Sequence, residues 1–407
     1  MKIGLLAYHS AINFGATLQL LSTYMFLKNK GYLPIVINWI SEDMEYSYES
    51  HTIESQLLCQ KKIRETIWTE TKLCRTDDDV ASVILQEKIE AVIIGSDAVC
   101  QHHTEWERLI FPCKRIVAIE HATSDRLFPN PFWATWNELL PKKVPVALLS
   151  ASSQDSEYKF FSNQLCRQMA KQIEQYSYVS VRDTWTKKMF CHITKNKVDP
   201  EVTPDPVFAF KYNAEGLLPN KSEILDKYEL PEKYILMSFI NATTVSQKWL
   251  DEFQILAAKD GYTCVKLPFS QKESFGRLNK EIHLPLSPID WFALIKYSSG
   301  YIGHNMHPIV VSIHNSVPFF SFDNYGLKRL NGIITTDKSS KIKHLLGSAG
   351  LAEWRVSCIS KTFKSPCASY VYDKFKNFNS SSMIKFADDY YAKYLGMMNN
   401  ILNSFQN

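Results

Sequence analysis

The chain contains a histidine, His307, in a position that suits proton transfer beside an anion. It lies in the segment Gly303-His304-Asn305-Met306-His307-Pro308, between an apolar run typical of a strand and a stretch typical of a helix. Histidine is the side chain best suited to exchange a proton near neutral pH, and the dipole at a helix N-terminus favours a negative charge. We therefore interpret His307 as a candidate general acid.

Two charged side chains follow other apolar runs of strand length. Arg182 comes directly after residues 178–181, and arginine binds phosphate or carboxylate through paired hydrogen bonds. Asp97 closes the segment Gly95-Ser96-Asp97, where a carboxylate can act as a base or bind a hydroxyl. Structural roles stay open for both: an ion pair for Arg182, and a helix cap formed by Ser96 or Asp97.

Small polar residues mark two further loops. The segment from His9 to Gly15 includes Asn13 and precedes a helical pattern. Gly15 permits close approach of the backbone to a ligand, and the amides that open the helix can hold an anion. An ordinary turn is the alternative. Ser152 and Ser153 follow a third apolar run, where capping is the favoured role.

Each of these five segments follows a short apolar run of strand length. Ligands bind beyond the carboxyl ends of parallel strands, so the five loops are candidates for one site. The predicted strands are residues 3–8, 33–40, 91–94, 144–149, 178–181, 234–240, 263–267, 300–303 and 317–322. The predicted helices are residues 16–30, 53–68, 79–89, 156–175, 246–259, 289–297, 307–315 and 380–404, with another starting at residue 183.

Alternating strands and helices predict an α/β protein with parallel sheets. Three prolines within residues 200–206 interrupt the alternation, which then restarts. We predict two Rossmann-like domains facing a cleft. The predicted units are residues 1–205, with a helical insertion or crossover at about 41–90, residues 206–375, and a C-terminal helix at 376–407 that packs back across the domains.

Composition excludes several classes of protein. Lys and Arg number 46 against 42 Asp and Glu, a net charge of +4 without a basic block, so we expect no nucleic-acid partner. The sequence has no run of 18 apolar residues, and its N-terminal apolar run is too short for a signal peptide. The nine cysteines form no Cys-x-x-Cys pair, which favours reduced thiols in a cytoplasmic protein.

Common cofactor and metal motifs are absent from the sequence. It has no P-loop, Gly-x-Gly-x-x-Gly, Gly-x-Ser-x-Gly or His-Glu-x-x-His pattern. Cys100, His102, His103 and Cys113 do not have the spacing of a standard zinc site. The run Asp77-Asp78-Asp79 contains an Asp-x-Asp pattern but is more typical of a helix start. We therefore expect no metal.

The ordered set of segments resembles the polysaccharide pyruvyl transferase family. No single motif is specific, but their order along nearly the whole chain is, apart from residues 41–90 and the C-terminal helix. The matching segments are Asn13-Phe14-Gly15-Ala16-Thr17-Leu18-Gln19, Ile94-Gly95-Ser96-Asp97, Asn130-Pro131-Phe132-Trp133, Ser152-Ser153, Ser180-Val181-Arg182-Asp183, Pro204-Asp205-Pro206, Asp290-Trp291, Gly303-His304-Asn305-Met306-His307 and Val317-Pro318-Phe319.

The resemblance implies a fold like that of two-domain GT-B glycosyltransferases and a defined reaction. Pyruvate would pass from phosphoenolpyruvate, a co-substrate, to sugar hydroxyls of a polysaccharide or lipid-linked oligosaccharide precursor, forming a ketal in exopolysaccharide or capsule biosynthesis. No other cofactor is implied. A lipid-linked acceptor would bring the cytoplasmic protein to the inner face of the membrane only peripherally, with Trp133 and Trp136 as candidate contacts. The oligomeric state stays open.

The same resemblance assigns roles to the candidate residues. His307 would be the acid, Arg182 the anion clamp, and Asp97 a base or hydroxyl-orienting group. Many members carry an arginine two residues before the histidine, where this chain has Asn305, and Lys266 is the expected substitute cation. Asn305 and Met306 would contribute to donor binding in the C-terminal domain. The N-terminal, acceptor side of the cleft would include Asn13, Gly15, Gly95, Ser96 and Ser152.

Two other functions remain open from the residues. One is a glycosyltransferase that uses a nucleotide sugar on a similar two-domain scaffold, because the Asp-x-Asp pattern and the neutral Asn305 are compatible with it. The other is a catalytically degenerate member of the family that binds glycans without turnover, for which Asn305 is the supporting feature. Affinity for nucleotide sugars or phosphoenolpyruvate, and the presence or absence of turnover, distinguish the three.

Overall fold

The framework of the protein is a pair of six-stranded sheets, one in each half of the chain, whose neighbouring strands all pair in parallel. The computed structural model describes residues 1–103, 106–113, 116–329 and 334–406. Parallel neighbours require crossover connections, which here contain most of the helices. The predicted α/β class with two Rossmann-like domains is confirmed.

The first half contains the sheet with spatial order β2-β1-β3-β6-β7-β8, and a separate β4-β5 hairpin. Its strands are β1 Lys2–Leu6, β2 Leu33–Val36, β3 Ala91–Asp97, β4 Trp106–Cys113, β5 Ile116–His121, β6 Val146–Ala151, β7 Tyr178–Val181 and β8 Glu201–Val202. Its helices are α1 Phe14–Asn29, α2 Glu42–Ser50, α3 Glu54–Ile67, α4 Asp77–Gln86, α5 Asn163–Ile173 and α6 Thr184–Ile193.

The second half contains the sheet with spatial order β11-β10-β9-β12-β13-β16, and the small antiparallel pair β14-β15. Its strands are β9 Tyr234–Ser238, β10 Thr263–Lys266, β11 Lys280–Glu281, β12 Gly300–Gly303, β13 Phe319–Asp323, β14 Leu327–Arg329, β15 Ile334–Thr336 and β16 Arg355–Ser357. Its helices are α7 Phe210–Asn213, α8 Lys221–Lys227, α9 Gln247–Lys259, α10 Pro288–Tyr297, α11 Met306–His314, α12 Lys341–Ser348, α13 Ala368–Lys376 and α14 Ser380–Ser404.

Residues 41–90 form a crossover rather than an inserted unit. Helices α2, α3 and α4 connect the edge strand β2 to β3, which pairs with β1 on its other side. The predicted strand at 33–40 is shorter: β2 ends at Val36, which also bridges to Glu70, and beyond it Trp39 makes an isolated bridge to Cys74. Helix α4 begins after Thr76, which forms a capping box with Asp79, so the aspartate run is a helix start as predicted.

One predicted helix starts later than its apolar pattern suggests. Residues 156–175 were expected to be helical, but α5 begins at Asn163, after a separate 3-10 turn at Tyr158–Phe160. The Ser162 side chain accepts a hydrogen bond from the Leu165 amide and thereby sets the helix start.

A continuous apolar core joins the two sheets. Along β3, Ala91 and Ile93 belong to a cluster that extends through α1 into the second half, whereas Val92 and Ile94 face a separate cluster. Helix α14 contacts β7 in the first half and α11 in the second. The domain limits at 205 and 375 stay a prediction, but an apolar junction of this kind holds the two halves in a defined relative position.

Trp133 and Trp136 do not contact a membrane. Both indoles are fully buried in the cluster on the outer face of the first sheet, which corrects the peripheral contact considered for them. Across the described ranges, no helix is both long and apolar enough to cross a bilayer. The eight cysteines whose side chains are described are free thiols.

Candidate active site

Arg182 and two carboxylates form the buried base of the site. Arg182 directly follows β7, and its Nη2 lies 2.9 Å from Oδ1 of Asp97, at the end of β3. Its Nη1 lies 2.7 Å from Oδ2 of Asp205, which follows β8. Burial acts to lower the pKa of Arg182, but the two carboxylates raise it above the ordinary value. Both terminal nitrogens are therefore bound to carboxylates, which Arg182 positions, and its role as an anion clamp stays a prediction.

Asp97 links this buried base to a second cation. Its Oδ1 lies 3.8 Å from Nζ of Lys341, the first residue of α12. Burial acts to raise the pKa of Asp97, but Arg182, then Lys341 and His307, hold it at about 2. Asp97 is therefore a carboxylate at neutral pH. Such a low pKa makes it a weak general base and a good acceptor of hydrogen bonds.

His307 faces the other carboxylate. Its Nε2 lies 3.7 Å from Oδ2 of Asp205 and 3.1 Å from Nε2 of Gln19 on α1, and the Gln19 amide also donates to Asp205 at 2.6 Å. Burial acts to raise the pKa of Asp205, but His307 and then Arg182 lower it below the ordinary range. A histidine oriented by a buried, ionised carboxylate is a common arrangement for proton transfer.

Gly15 allows the two halves to meet at His307. A Cβ atom on Gly15 would lie 2.0 Å from Nδ1 and 2.1 Å from Cγ of His307, far inside contact distance. The imidazole therefore packs directly on the backbone at the start of α1. The predicted close approach at Gly15 exists, and it is made by a catalytic candidate from the other half of the chain.

The two asparagines at the helix starts differ. Asn13 has extended backbone, and its side chain accepts hydrogen bonds from the amides of Gly15 and Ala16. These amides are therefore not open to an anion, which corrects that prediction. Asn305 has φ 78° and ψ 152°, a conformation usual only for glycine, and its side chain makes no capping bond to α11. The Asn305 side chain thus leaves the start of α11 uncapped. There the Met306 amide donates to Tyr325 and Pro308 has no N–H, while the helix dipole favours an anion.

A buried network holds Lys341 in place. Ser340, the residue before α12, accepts from the Lys343 amide and donates to Asp323, which is fully buried. Asp323 also pairs with Arg355 at 2.6 Å. Burial and then Arg182 lower the pKa of Lys341, and Asp97 opposes this. Lys341 therefore lines the cleft with its ammonium 3.8 Å from Asp97, while Asp323 and Arg355 pair with each other behind it.

Two adjoining cavities open at these residues. One of about 210 Å³ lies between the halves and is lined by Asn305, His307 and Lys341. The other, about 360 Å³, is lined mainly by the first half, including Tyr8 and Tyr48. Both cavities share the residues Asn13, Asp97, Gln154 and Ser270.

Several predicted residues lie outside the smaller cavity. Lys266 ends β10, and its ammonium is paired with Glu281 at 2.5 Å and Glu273 at 3.9 Å, so its role as the substitute cation stays a prediction. Ser152 donates to Asp183, which caps α6. These two side chains have structural partners.

Three other predicted residues make structural contacts beneath the surface of the cleft. Ser96 donates to the carbonyl of Ser150, and the side chain of Met306 is in the apolar core. Gly95 has φ 112°, and a Cβ there would lie 2.5 Å from the Leu149 carbonyl oxygen. Gly95 is required by strand packing rather than by contact with a ligand.

The residues considered as a zinc set, Cys100, His102, His103 and Cys113, form no metal site among the described side chains. The amide of Phe128 donates to Nδ1 of His102, Cys100 is buried, and the side chain of Cys113 lies outside the described residues. Within the described side chains, no three His, Cys, Asp or Glu residues are grouped as a metal site.

Sequence reasoning missed three members of the site: Gln19, Asp205 and Lys341. Gln19 and Asp205 lie in segments that resemble the family, but their types suggest no chemistry at that spacing. The position of Lys341 could have identified it. A lysine in the first turn of a helix opposes the helix dipole and is unfavourable without a functional or structural partner.

The fold is shared with nucleotide-sugar enzymes. A UGT transferase of Siraitia grosvenorii in complex with UDP is 9% identical, with a TM-score of 0.52 over 100% of both chains. UDP-GlcNAc 2-epimerase of Methanocaldococcus jannaschii is 10% identical, with a TM-score of 0.50 over 96% of this chain and 100% of that chain. At such low identity these similarities establish a GT-B-like fold alone. No functionally curated protein matches the sequence significantly.

The sequence match to a protein family is more specific. It covers residues 13–325, from Asn13 through the α11 start to Tyr325, and so includes four strand-end loops of the cleft, the end of the first loop and most of the chain. Lys341 lies beyond the matched segment. By this match the chain belongs to the polysaccharide pyruvyl transferase family.

Proposed function

We propose that the protein transfers pyruvate from phosphoenolpyruvate to two hydroxyls of a sugar in a glycan or lipid-linked saccharide, forming a cyclic ketal. Family membership supports the reaction class. The observation that carries the proposal is the group formed by His307, its carboxylate partner Asp205 and the cation Lys341 beside a small polar cavity. Phosphoenolpyruvate has a phosphate and a carboxylate, and it needs a proton donor for its methylene carbon.

The reaction balances with the groups present. His307 protonates the methylene carbon of phosphoenolpyruvate, and a sugar hydroxyl adds to the neighbouring carbon. The phosphate then leaves, and a second hydroxyl closes the ketal. One hydroxyl proton restores the acid form of His307, and the other departs with inorganic phosphate. Asp205, held by Arg182, stabilises the imidazole in its protonated form, before the proton is transferred and after it is restored.

Donor binding is assigned to the second half of the chain. Lys341 supplies the cation that Asn305 does not, and the uncapped start of α11 supplies a dipole oriented toward the anion. Arg182 does not contact the donor in this scheme and acts as a positioning residue, through Asp97 and Asp205. Lys341 is therefore the substitute for the family's arginine in place of Lys266.

The acceptor is assigned to the larger cavity. Asp97 lines both cavities, and as a carboxylate with a pKa of about 2 it accepts a hydrogen bond from the attacking hydroxyl and so orients it. Tyr8 and Tyr48 offer polar rings to a saccharide there. No cofactor beyond phosphoenolpyruvate enters this scheme.

The test is turnover of phosphoenolpyruvate with a panel of oligosaccharide and lipid-linked acceptors. We expect release of phosphate that depends on an acceptor, and a product heavier by one pyruvate ketal. His307→Asn should reduce kcat by about 10²–10⁴-fold because the general acid is lost. His283→Asn is the matched control, since His283 is 64% exposed and lies outside both cavities.

Three results would contradict the proposal. Near-normal kcat in His307→Asn would remove that residue from the mechanism. Acceptor binding without any phosphate release across the panel would indicate a glycan-binding protein. Thermal stabilisation by UDP-glucose, with none by phosphoenolpyruvate, would indicate a glycosyltransferase instead.

A further inference from the structure

A second concave surface crosses the junction of the two halves on helices α6 and α12. Its volume is about 650 Å³. We call it the basic groove, and it is formed by Tyr158, Lys159, Trp185, Lys188, Lys338 and Lys343. It shares no lining residue with the two cavities at His307.

The charged side chains that line the basic groove are all lysines. Within the described part of the chain, neither a carboxylate nor a guanidinium group lines it. Lys343 is paired with Asp337 at 2.7 Å, whereas Lys159, Lys188 and Lys338 have no described carboxylate within ion-pair distance. Because the whole chain carries only +4, three uncompensated lysines in one groove are a local concentration of positive charge.

One wall of the groove is aromatic and rigid. The rings of Tyr158 and Trp185 are 5.0 Å apart between centroids, and Trp185 Nε1 donates to the Ser156 carbonyl at 3.1 Å. This hydrogen bond fixes the indole, which is half-buried and lines the groove. A flat apolar face of this kind suits the C–H face of a sugar ring.

We propose that the basic groove binds a segment of an acidic glycan, a chain of sugars with carboxylates spaced along it. The concave form accommodates a chain rather than a flat membrane surface. Lysines act as point charges without the two-pronged geometry by which arginine selects one phosphate or carboxylate, so they tolerate charges at varied spacing. The aromatic wall adds contact with the sugar rings themselves.

The groove is connected to the reaction site through two helices. Helix α12 begins with Lys341 at the cleft and carries Lys343 and His344 into the groove. Helix α6 is capped by Asp183, the neighbour of Arg182, and carries Lys188. A glycan in the groove would therefore bridge the halves close to the site while leaving its cavities free.

The probe is hexagalacturonate, which has one carboxylate on each sugar, measured by calorimetric titration without phosphoenolpyruvate. The outcome is thus independent of the proposed reaction. We expect binding that weakens as salt rises, because the contacts are exposed ion pairs. The double variant Lys188→Glu/Lys338→Glu should weaken binding by about tenfold. Trp185→Ala should weaken it with the salt dependence retained.

Matched arms make the proposal falsifiable. Lys259→Glu/Lys361→Glu reverses two exposed lysines elsewhere and should leave binding unchanged. Neutral maltohexaose should bind far more weakly than hexagalacturonate. Three outcomes would overturn the assignment: equal binding by the groove variant and wild type, competition by inorganic pyrophosphate as effective as that by hexagalacturonate, or tighter binding of hexathymidylate.

Discussion

The two halves of the molecule present the same local motif and use it differently. In each, an asparagine precedes a helix near the carboxyl end of a buried parallel strand. Asn13 bonds to the amides of its own helix, whereas Asn305 leaves the start of α11 uncapped and holds a strained backbone. In the proposed reaction the uncapped start of α11 serves the donor anion, so the two sides of the cleft differ in capping as well as in charge.

The largest expected effect comes from breaking the contact between the halves. Gly15→Ala places a methyl group inside the His307 imidazole, so the ring must move. We expect kcat to fall by about a hundredfold, as for a catalytic group displaced by about 1 Å. Steady-state kinetics with a saturating acceptor measure it.

The matched control for this variant is Gly396→Ala. Gly396 lies within α14, and nothing lies within 4 Å of a Cβ there, so the exchange should keep kcat and slightly stabilise the helix. Wild-type kcat in Gly15→Ala would show that catalysis does not depend on the observed position of the His307 ring.

Removing the cation of the donor side is expected to have the next largest effect. Lys341→Met keeps a long side chain but removes the charge from the smaller cavity. We expect the KM for phosphoenolpyruvate to rise by about 10–100-fold, the value of one charge-assisted contact. Lys343→Met on the exposed side of the same helix is the control and should leave KM unchanged. An unchanged KM in Lys341→Met would show that Lys341 does not bind the donor.

The ion pairs of Asp97, in the first half, should make the free energy of unfolding depend on pH. Asp97 has a pKa of about 2 when folded, below its ordinary value of 3.8, so its contribution is complete above about pH 4. That contribution, on the order of 2 kcal/mol, is lost as pH falls from 4 through 2. Urea unfolding at each pH should therefore show a steeper loss in wild type than in Asp97→Asn.

The control for the pH series is Asp226→Asn, because Asp226 is exposed. Its slope between pH 4 and pH 2 should equal that of wild type. The same slope in Asp97→Asn and wild type would mean that Asp97 is not held ionised by Arg182 and Lys341.

The smallest effect tests the two asparagines directly. Asn13→Gly removes a cap and should lower the free energy of unfolding by a few tenths of a kcal/mol. Asn305→Gly relieves an unfavourable backbone conformation and should raise it by about 1 kcal/mol. Denaturant unfolding of both variants measures the difference. Changes of the same sign would remove the distinction between the two helix starts.

Much of the fold could be predicted because local patterns agree with it. Apolar runs of four to seven residues became the central strands. Arg182 and Asp97 do meet at the carboxyl end of the first sheet, and His307 faces them across the cleft from the second sheet. The pairing of Lys266 could not be predicted from local sequence. Residues that follow it, such as Ser270, line the cavity, whereas its own ammonium pairs with Glu281 of the edge strand β11.

The sequence by itself determined the α/β class, the loops that follow the strands, and the family. Periodicity and motif order are local properties, so these features need no knowledge of which strands pair. Only the tertiary structure decided that Arg182 is neutralised by Asp97 and Asp205, and that Lys341 is the cation that faces the cleft. Those partners are separated by 23 to 244 positions in the chain, and their electrostatic roles exist only once folding buries them together.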